Sequence, residues 1–302
     1  MWAGAALALA VLGVVGWRAR YVRAMTALTL RHRRLGPDGV VIGGEGFTLE
    51  RPGGPAILLL HGGGDTPQTL RYLAEALHAR GFHVSAPLLP GHGRTLRDFS
   101  HVTADQLSAA ASASYDALRH SHEWVGVIGL SMGGALAVQL AADNAALPAL
   151  GLIAPYLSMP RLIAWAARLA PLWGAVVPVV GSGDSASIRD PVERDRGLAY
   201  GAFTARGLVA LWRTMRRGVA LLPHVAAPTL MIQSREDNRI TAADAERAFE
   251  RLGSHEKVLE WIAGAGHVIT VDYGRDVVNA RLAAFMEIHM RAASSRRTSV
   301  TS

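Results

Sequence analysis

No cysteine occurs in the 302 residues, which excludes a disulfide framework, a thiolate nucleophile and any cysteine-ligated zinc or iron–sulfur site. Charge is sparse, at 18% of residues, while half the chain is apolar. That balance excludes a disordered chain, because enough apolar surface is present to offset the entropy of ordering. Acids are missing from the first 34 positions, where six arginines stand (Arg18, Arg20, Arg23, Arg31, Arg33, Arg34), and from the end of the chain, which carries Arg291, Arg296 and Arg297. The formal net charge of +7 resides in those two ends; the stretch 35–290 holds two more acids than bases. A nucleic-acid partner needs a phosphate-neutralising face, and the near-neutral body excludes one. No P-loop, no G-x-G-x-x-G after a strand and no H-E-x-x-H is found, so neither a cofactor nor a metal is expected.

From Met1 to Trp17 no side chain is charged. Seventeen helical residues span about 25 Å, the short limit for a bilayer crossing. Trp2 and Trp17 stand at its two ends, where indole rings favour the headgroup layer. The arginines that follow predict retention of the body on the cytoplasmic side. The expected organisation is therefore a single-pass anchor over 1–17, a basic linker over 18–38 and a membrane localisation.

Beyond the linker, strands alternate with amphipathic helices. Continuous apolar runs at 56–60, 124–130, 150–154 and 229–233 read as buried strands, and the intervening periodic segments as helices. Such alternation predicts a mostly parallel sheet flanked by helices. Residues 40–42 and 47–50 read as an edge hairpin turning at Gly43-Gly44. Residues 155–226 hold helical runs but no convincing strand, and about seventy residues far exceed an ordinary connection. They predict a helical cap over a core formed by 39–154 and 227–292, and 293–302 reads as a disordered tail.

The strand at 124–130 runs into Gly129-Leu130-Ser131-Met132-Gly133. A serine at a sharp strand-to-helix turn needs tiny neighbours two residues away on either side, so that the two backbones can pass. Ser131 is the candidate nucleophile. A hydroxyl needs a base to take its proton, and His267 in Gly264-Ala265-Gly266-His267 lies in a flexible loop after the last strand. The orienting acid is expected after the preceding strand: Asp237, with Glu236 as the alternative. The order Ser131, Asp237, His267 is that of one serine-hydrolase architecture and not of the trypsin or subtilisin kinds. Oxyanion donors are expected from the Met132 and Gly63 amides, the latter in His61-Gly62-Gly63-Gly64. His61 and His92 read as loop braces.

Together LLLHGGG, APLLPGHGR, GLSMGG, PTLMIQSREDNRI and GAGHVITVD resemble the α/β-hydrolase superfamily, closest to bacterial carboxylesterases and monoacylglycerol lipases, from about Gly53 to Ala292. The resemblance implies an eight-stranded, mostly parallel sheet with a helical cap. It also implies a Ser131–His267–Asp237 triad, a Gly63/Met132 oxyanion hole and a small-molecule ester or lipid substrate. The chain departs from those kin in its HGGG run, where many carry a large residue after His-Gly, and in its amino-terminal segment. Acyl transfer by the same triad and non-catalytic binding are the alternative readings.

Overall fold

The computed structural model describes residues 2–31, 33–181 and 187–300. Its elements run α1 (Trp2–Thr29), β1 (Phe47–Leu49), β2 (Ala56–Leu60), α2 (Arg71–Ala79), β3 (His83–Ala86), α3 (Leu96–Phe99), α4 (Ala104–Ser121), β4 (Val125–Leu130), α5 (Met132–Asp143) and β5 (Leu150–Ile153). Then follow α6 (Arg161–Trp173), β6 (Val179–Gly181), α7 (Pro191–Arg196), β7 (Ala202–Thr204), α8 (Ala205–Leu221), β8 (Thr229–Ser234), α9 (Ala242–Glu250), β9 (Lys257–Ile262) and α10 (Arg275–Val300). The main sheet has seven strands in the order β1-β3-β2-β4-β5-β8-β9, parallel except for β1.

The apolar runs are continuous because both faces of the sheet are covered. Along β2, Ala56, Leu58 and Leu60 enter one core cluster while Ile57 and Leu59 enter the other; along β4, Val125 and Val127 part from Ile128 and Leu130 in the same way. The first cluster packs under α4, α5 and α8, the second under α2 and α10. The sheet's pleat thus divides one run of hydrophobics between two cores.

At the sheet's centre, β4 and α5 cross so closely that glycine is required. A Cβ on Gly133 would lie 2.0 Å from the Leu60 carbonyl oxygen, and one on Gly129 would lie 2.2 Å from the Gly133 carbonyl oxygen. These are backbone atoms of the sheet and of the helix packed on it, and cannot move aside. Gly133→Ala is expected to cost at least about 3 kcal/mol or to block folding, read by chemical denaturation. Gly16→Ala, with nothing within 4 Å, serves as the near-neutral comparison.

Several expectations are corrected. Residues 40–50 do not pair with each other as a hairpin: Val41 makes an isolated bridge to Leu35, and β1 pairs antiparallel with β3. The sheet therefore has seven strands among the described residues where eight were expected. The inserted segment does contain strand, a two-stranded antiparallel ribbon of β6 and β7; three-residue strands are too short to leave a periodic trace. The polar, small-residue stretch 180–190 (VGSGDSASIRD) reads as a loop, and its residues 182–186 lie outside the described residues. Helix α10 runs to Val300, through most of the expected tail, and nothing after Arg275 is a glycine or proline to stop it.

The expected crossing over 1–17 and the membrane localisation built on it are overturned. Among the described residues no helix is long and apolar enough to cross a membrane. The apolar stretch does not end as a separate span at Trp17; the same helix carries Arg18, Arg20 and Arg23 and lies against the body. Trp17 stacks on Tyr21, Arg18 Nη1 donates to the Gly174 and Ala175 carbonyls at 3.1 and 2.9 Å, and the Tyr21 hydroxyl donates to the Val179 carbonyl at 3.0 Å. Tyr21, Val22 and Met25 pack against the first core cluster.

Candidate active site

Ser131 occupies the turn between β4 and α5 with φ 54° and ψ −116°. A non-glycine residue with positive φ is strained, and backbone hydrogen bonds hold it, the Ala135 amide at 3.3 Å from its carbonyl among them. Its amide donates to the Ile153 carbonyl at 2.9 Å, and its carbonyl accepts the amides of Gly134 and Tyr156, each at 2.9 Å. The side chain is thereby fixed at the carboxyl end of the sheet.

His267 and Asp237 meet it there. Ser131 Oγ lies 2.8 Å from His267 Nε2, and His267 Nδ1 lies 2.8 Å from Asp237 Oδ2. The Asp237 side chain is fully buried; its Oδ1 accepts the amides of Arg239 and Ile240 at 2.7 and 3.0 Å, and Oδ2 also accepts Gln233 Nε2 at 2.7 Å. Burial alone would raise this carboxyl. The charge and hydrogen bond of His267 and the two amides outweigh it and hold Asp237 below the ordinary carboxylate value. It is thus an anion at neutral pH and an acceptor toward Nδ1–H. Glu236 does not join this line: its Oε2 accepts the Gly264 amide at 3.0 Å and steadies the loop that carries the histidine.

Gly63 and Met132 are also brought together, since a Cβ on Gly63 would lie 3.2 Å from Met132 Sδ and 3.5 Å from its Cβ. Gly63 and Ser131 both line a cavity of about 240 Å³, and Met132 follows Ser131 as the first residue of α5. His61 braces the Gly63 loop: Nδ1 donates to the Gly62 carbonyl at 2.9 Å and Nε2 accepts the Leu89 amide at 3.0 Å. Burial and the neighbouring His92 ring push its pKa well below the ordinary value, which matches that one-donor, one-acceptor role. His92, lowered to about 4 by burial, bonds the Pro90 carbonyl in the same manner.

Four residues around the site were not expected from the sequence. Gln233 is a polar residue inside an apolar strand, and that anomaly was its only signal. Asp272, fully buried, accepts four amides within 2.8 Å: Gly266 and Tyr273 in the histidine loop, and Arg189 and Asp190 in the inserted segment. Arg33, just past α1, lines the cavity and gave no signal at all.

A fourth, Asp65, sits two residues past Gly63 in the cavity wall. Burial is the main influence on it and pushes its carboxyl up to about 6, against hydrogen bonds from Thr69 and Thr66 and the charges of His267 and Arg33. A carboxyl with a raised folded value favours folding while protonated. The cost of ionising it is absent below the unfolded value near ~3.9, grows as pH rises through about 6, and is full above that. Asp65→Asn is therefore expected to raise the melting temperature at about pH 8 by roughly 2–6 °C and to lose that advantage by about pH 4. Equal gains at both pH values would contradict a buried, ionising carboxyl.

The α/β sheet, with a serine at a strained strand–helix turn facing a histidine and an aspartate from later loops, defines a serine hydrolase of the α/β-hydrolase fold. The chain belongs to the family described as Serine aminopeptidase, S33, whose pattern matches residues 54–273. It is 30% identical over 250 residues to a thermostable monoacylglycerol lipase of Bacillus sp. (strain H-257), covering 83% of this chain and 97% of that protein. A carboxylesterase of Bacillus subtilis (strain 168) is 24% identical over 80% of this chain and 95% of its own. A solved structure from work on the metagenome-derived lipolytic enzymes LipS and LipT is 28% identical with a TM-score of 0.75, covering 85% of this chain and 100% of that one.

Proposed function

We propose that this enzyme hydrolyses carboxylic esters of lipophilic, monoacylglycerol-like character through an acyl-enzyme formed on Ser131. The observation that carries the reading is the unbroken hydrogen-bonded line Ser131–His267–Asp237, 2.8 Å at each step and opening into a cavity. Ser131 Oγ attacks the acyl carbonyl while Nε2 of His267 takes its proton; the buried Asp237 fixes the imidazole tautomer and stabilises the imidazolium that forms. The tetrahedral oxyanion is met by the Met132 and Gly63 amides. His267 returns the proton to the departing alcohol, and water, activated by the same imidazole, then releases the acid. No cofactor enters this sequence. In this reading 39–154 and 227–292 form the catalytic core, and 155–226 is a cap whose Phe203 and Leu211 give the cavity an apolar side for an acyl chain.

The relatives support the ester class by what they are named for. The test is covalent labelling by a fluorophosphonate together with hydrolysis of p-nitrophenyl esters of rising chain length. Labelling at Ser131 with turnover that rises toward medium chains supports the reading. A folded protein that neither labels nor turns over any ester in the series overturns it.

A further inference from the structure

The active-site cavity has two characters. Leu130, Phe203, Leu211 and Val268 give it an apolar side, whereas Arg33 and Asp65 stand in its wall with no part in the proposed chemistry. Asp65 is 6% exposed; its Oδ2 accepts the Thr69 hydroxyl at 2.7 Å, and among the described residues its Oδ1 has no hydrogen-bond partner. An ionised carboxylate offers about four acceptor sites, and a buried one left short of donors needs an explanation. Its position supplies one. A Cβ built on Gly62 would lie 3.5 Å from Ser131 Cβ and 3.8 Å from Asp65 Oδ2, so the carboxyl and the nucleophile flank the same glycine.

Arg33 arrives from outside the family-matched region, in the segment that follows α1. Its Nη2 donates to the carbonyls of Ala199 and Gly197 at 2.6 and 3.4 Å, which fixes the guanidinium at the cavity's edge. It is close enough to Asp65 for the two charges to act on each other. A guanidinium carries five N–H donors, and those two carbonyls engage only one of its nitrogens.

A cation and an acceptor in one wall discriminate sharply among ligands. A carboxylate or phosphate would be repelled by Asp65, and an ammonium by Arg33. A plain alkyl group would offer neither of them a hydrogen bond. A neutral hydroxyl both donates and accepts, so it satisfies the two at once. We propose that Asp65 and Arg33 form a hydroxyl-recognition subsite for the alcohol part of the ester, making acyl esters of a polyol better substrates than esters of a simple alkanol. The amino-terminal segment is thereby a determinant of specificity. This inference rests on the ester-hydrolase reading above.

The test compares kcat/KM for 1-decanoylglycerol and ethyl decanoate, which share an acyl chain and differ in free hydroxyls. It uses the full chain, Asp65→Ala and Arg33→Met. The readout is the ratio of the two values, in which any loss common to both substrates cancels. The unsubstituted protein is expected to favour the glycerol ester by about tenfold or more, and each substitution to bring the ratio toward one. Arg33 lies outside both core clusters, so Arg33→Met carries the test should Asp65→Ala fail to fold. Turnover of both esters with a ratio near one, or a preference that survives the substitutions, overturns the subsite and leaves ester hydrolysis standing. A protein inert toward both esters and unlabelled by fluorophosphonate overturns the hydrolase reading, and the subsite with it.

Discussion

Ser131→Ala is expected to abolish ester turnover, with a loss on the order of 10⁶ in kcat, while the protein stays folded. The turn is held by backbone bonds from Ile153, Gly134 and Tyr156, not by the hydroxyl, and a methyl group at φ 54° meets no more strain than the serine's own Cβ. Circular dichroism should be unchanged and fluorophosphonate labelling lost. A folded variant that keeps more than a few per cent of the activity would remove Ser131 as nucleophile.

Asp237→Asn is expected to lower kcat by about 10⁴, and the surroundings of the carboxylate say why. Both oxygens are accepting: Oδ1 from two amides, Oδ2 from His267 and Gln233. An asparagine must put its NH₂ against donors whichever way it turns, so the imidazole loses its acceptor or turns into the wrong tautomer. Glu236→Gln should cost far less, because Glu236 holds the Gly264 amide and not the imidazole. The reverse ranking in a kinetic comparison would move the acid to Glu236. In the unsubstituted enzyme kcat/KM should fall in acid, since a protonated imidazole cannot accept the serine proton.

The strands of the sheet were legible because burial on both faces leaves unbroken apolar runs, and β2 has the boundaries its run gave, Ala56–Leu60. The residues that converge at the site were legible through loop chemistry: Gly129 and Gly133 around Ser131, and Gly264 and Gly266 before His267. What stayed hidden was decided by tertiary contact. Nothing local in 1–34 says that α1 lies along the inserted segment or that Arg33 reaches the cavity, and a run of seventeen apolar residues read alone favours a bilayer. Asp65 reads as an ordinary loop acid until its burial is known, and β6 and β7 are too short for periodicity to register.

The grip of Asp272 on the inserted segment has a consequence for how this enzyme can diversify. It takes hold of residues 189 and 190 by their main-chain amides, groups that every amino acid except proline supplies. Asp272 itself reads no side chain there; the Asp190 carboxylate separately accepts the Val192 amide at 2.9 Å and pairs with Arg275 at 3.5 Å, so it is position 189 that can drift while the path of the chain stays fixed. Because the same carboxylate holds Gly266, immediately before His267, His267 and the inserted segment keep a common reference point whatever residues the latter acquires. A foreign insert spliced in at 189–190 would inherit its registration with the reacting centre from the host, and substrate preference could change without the chemistry being rebuilt.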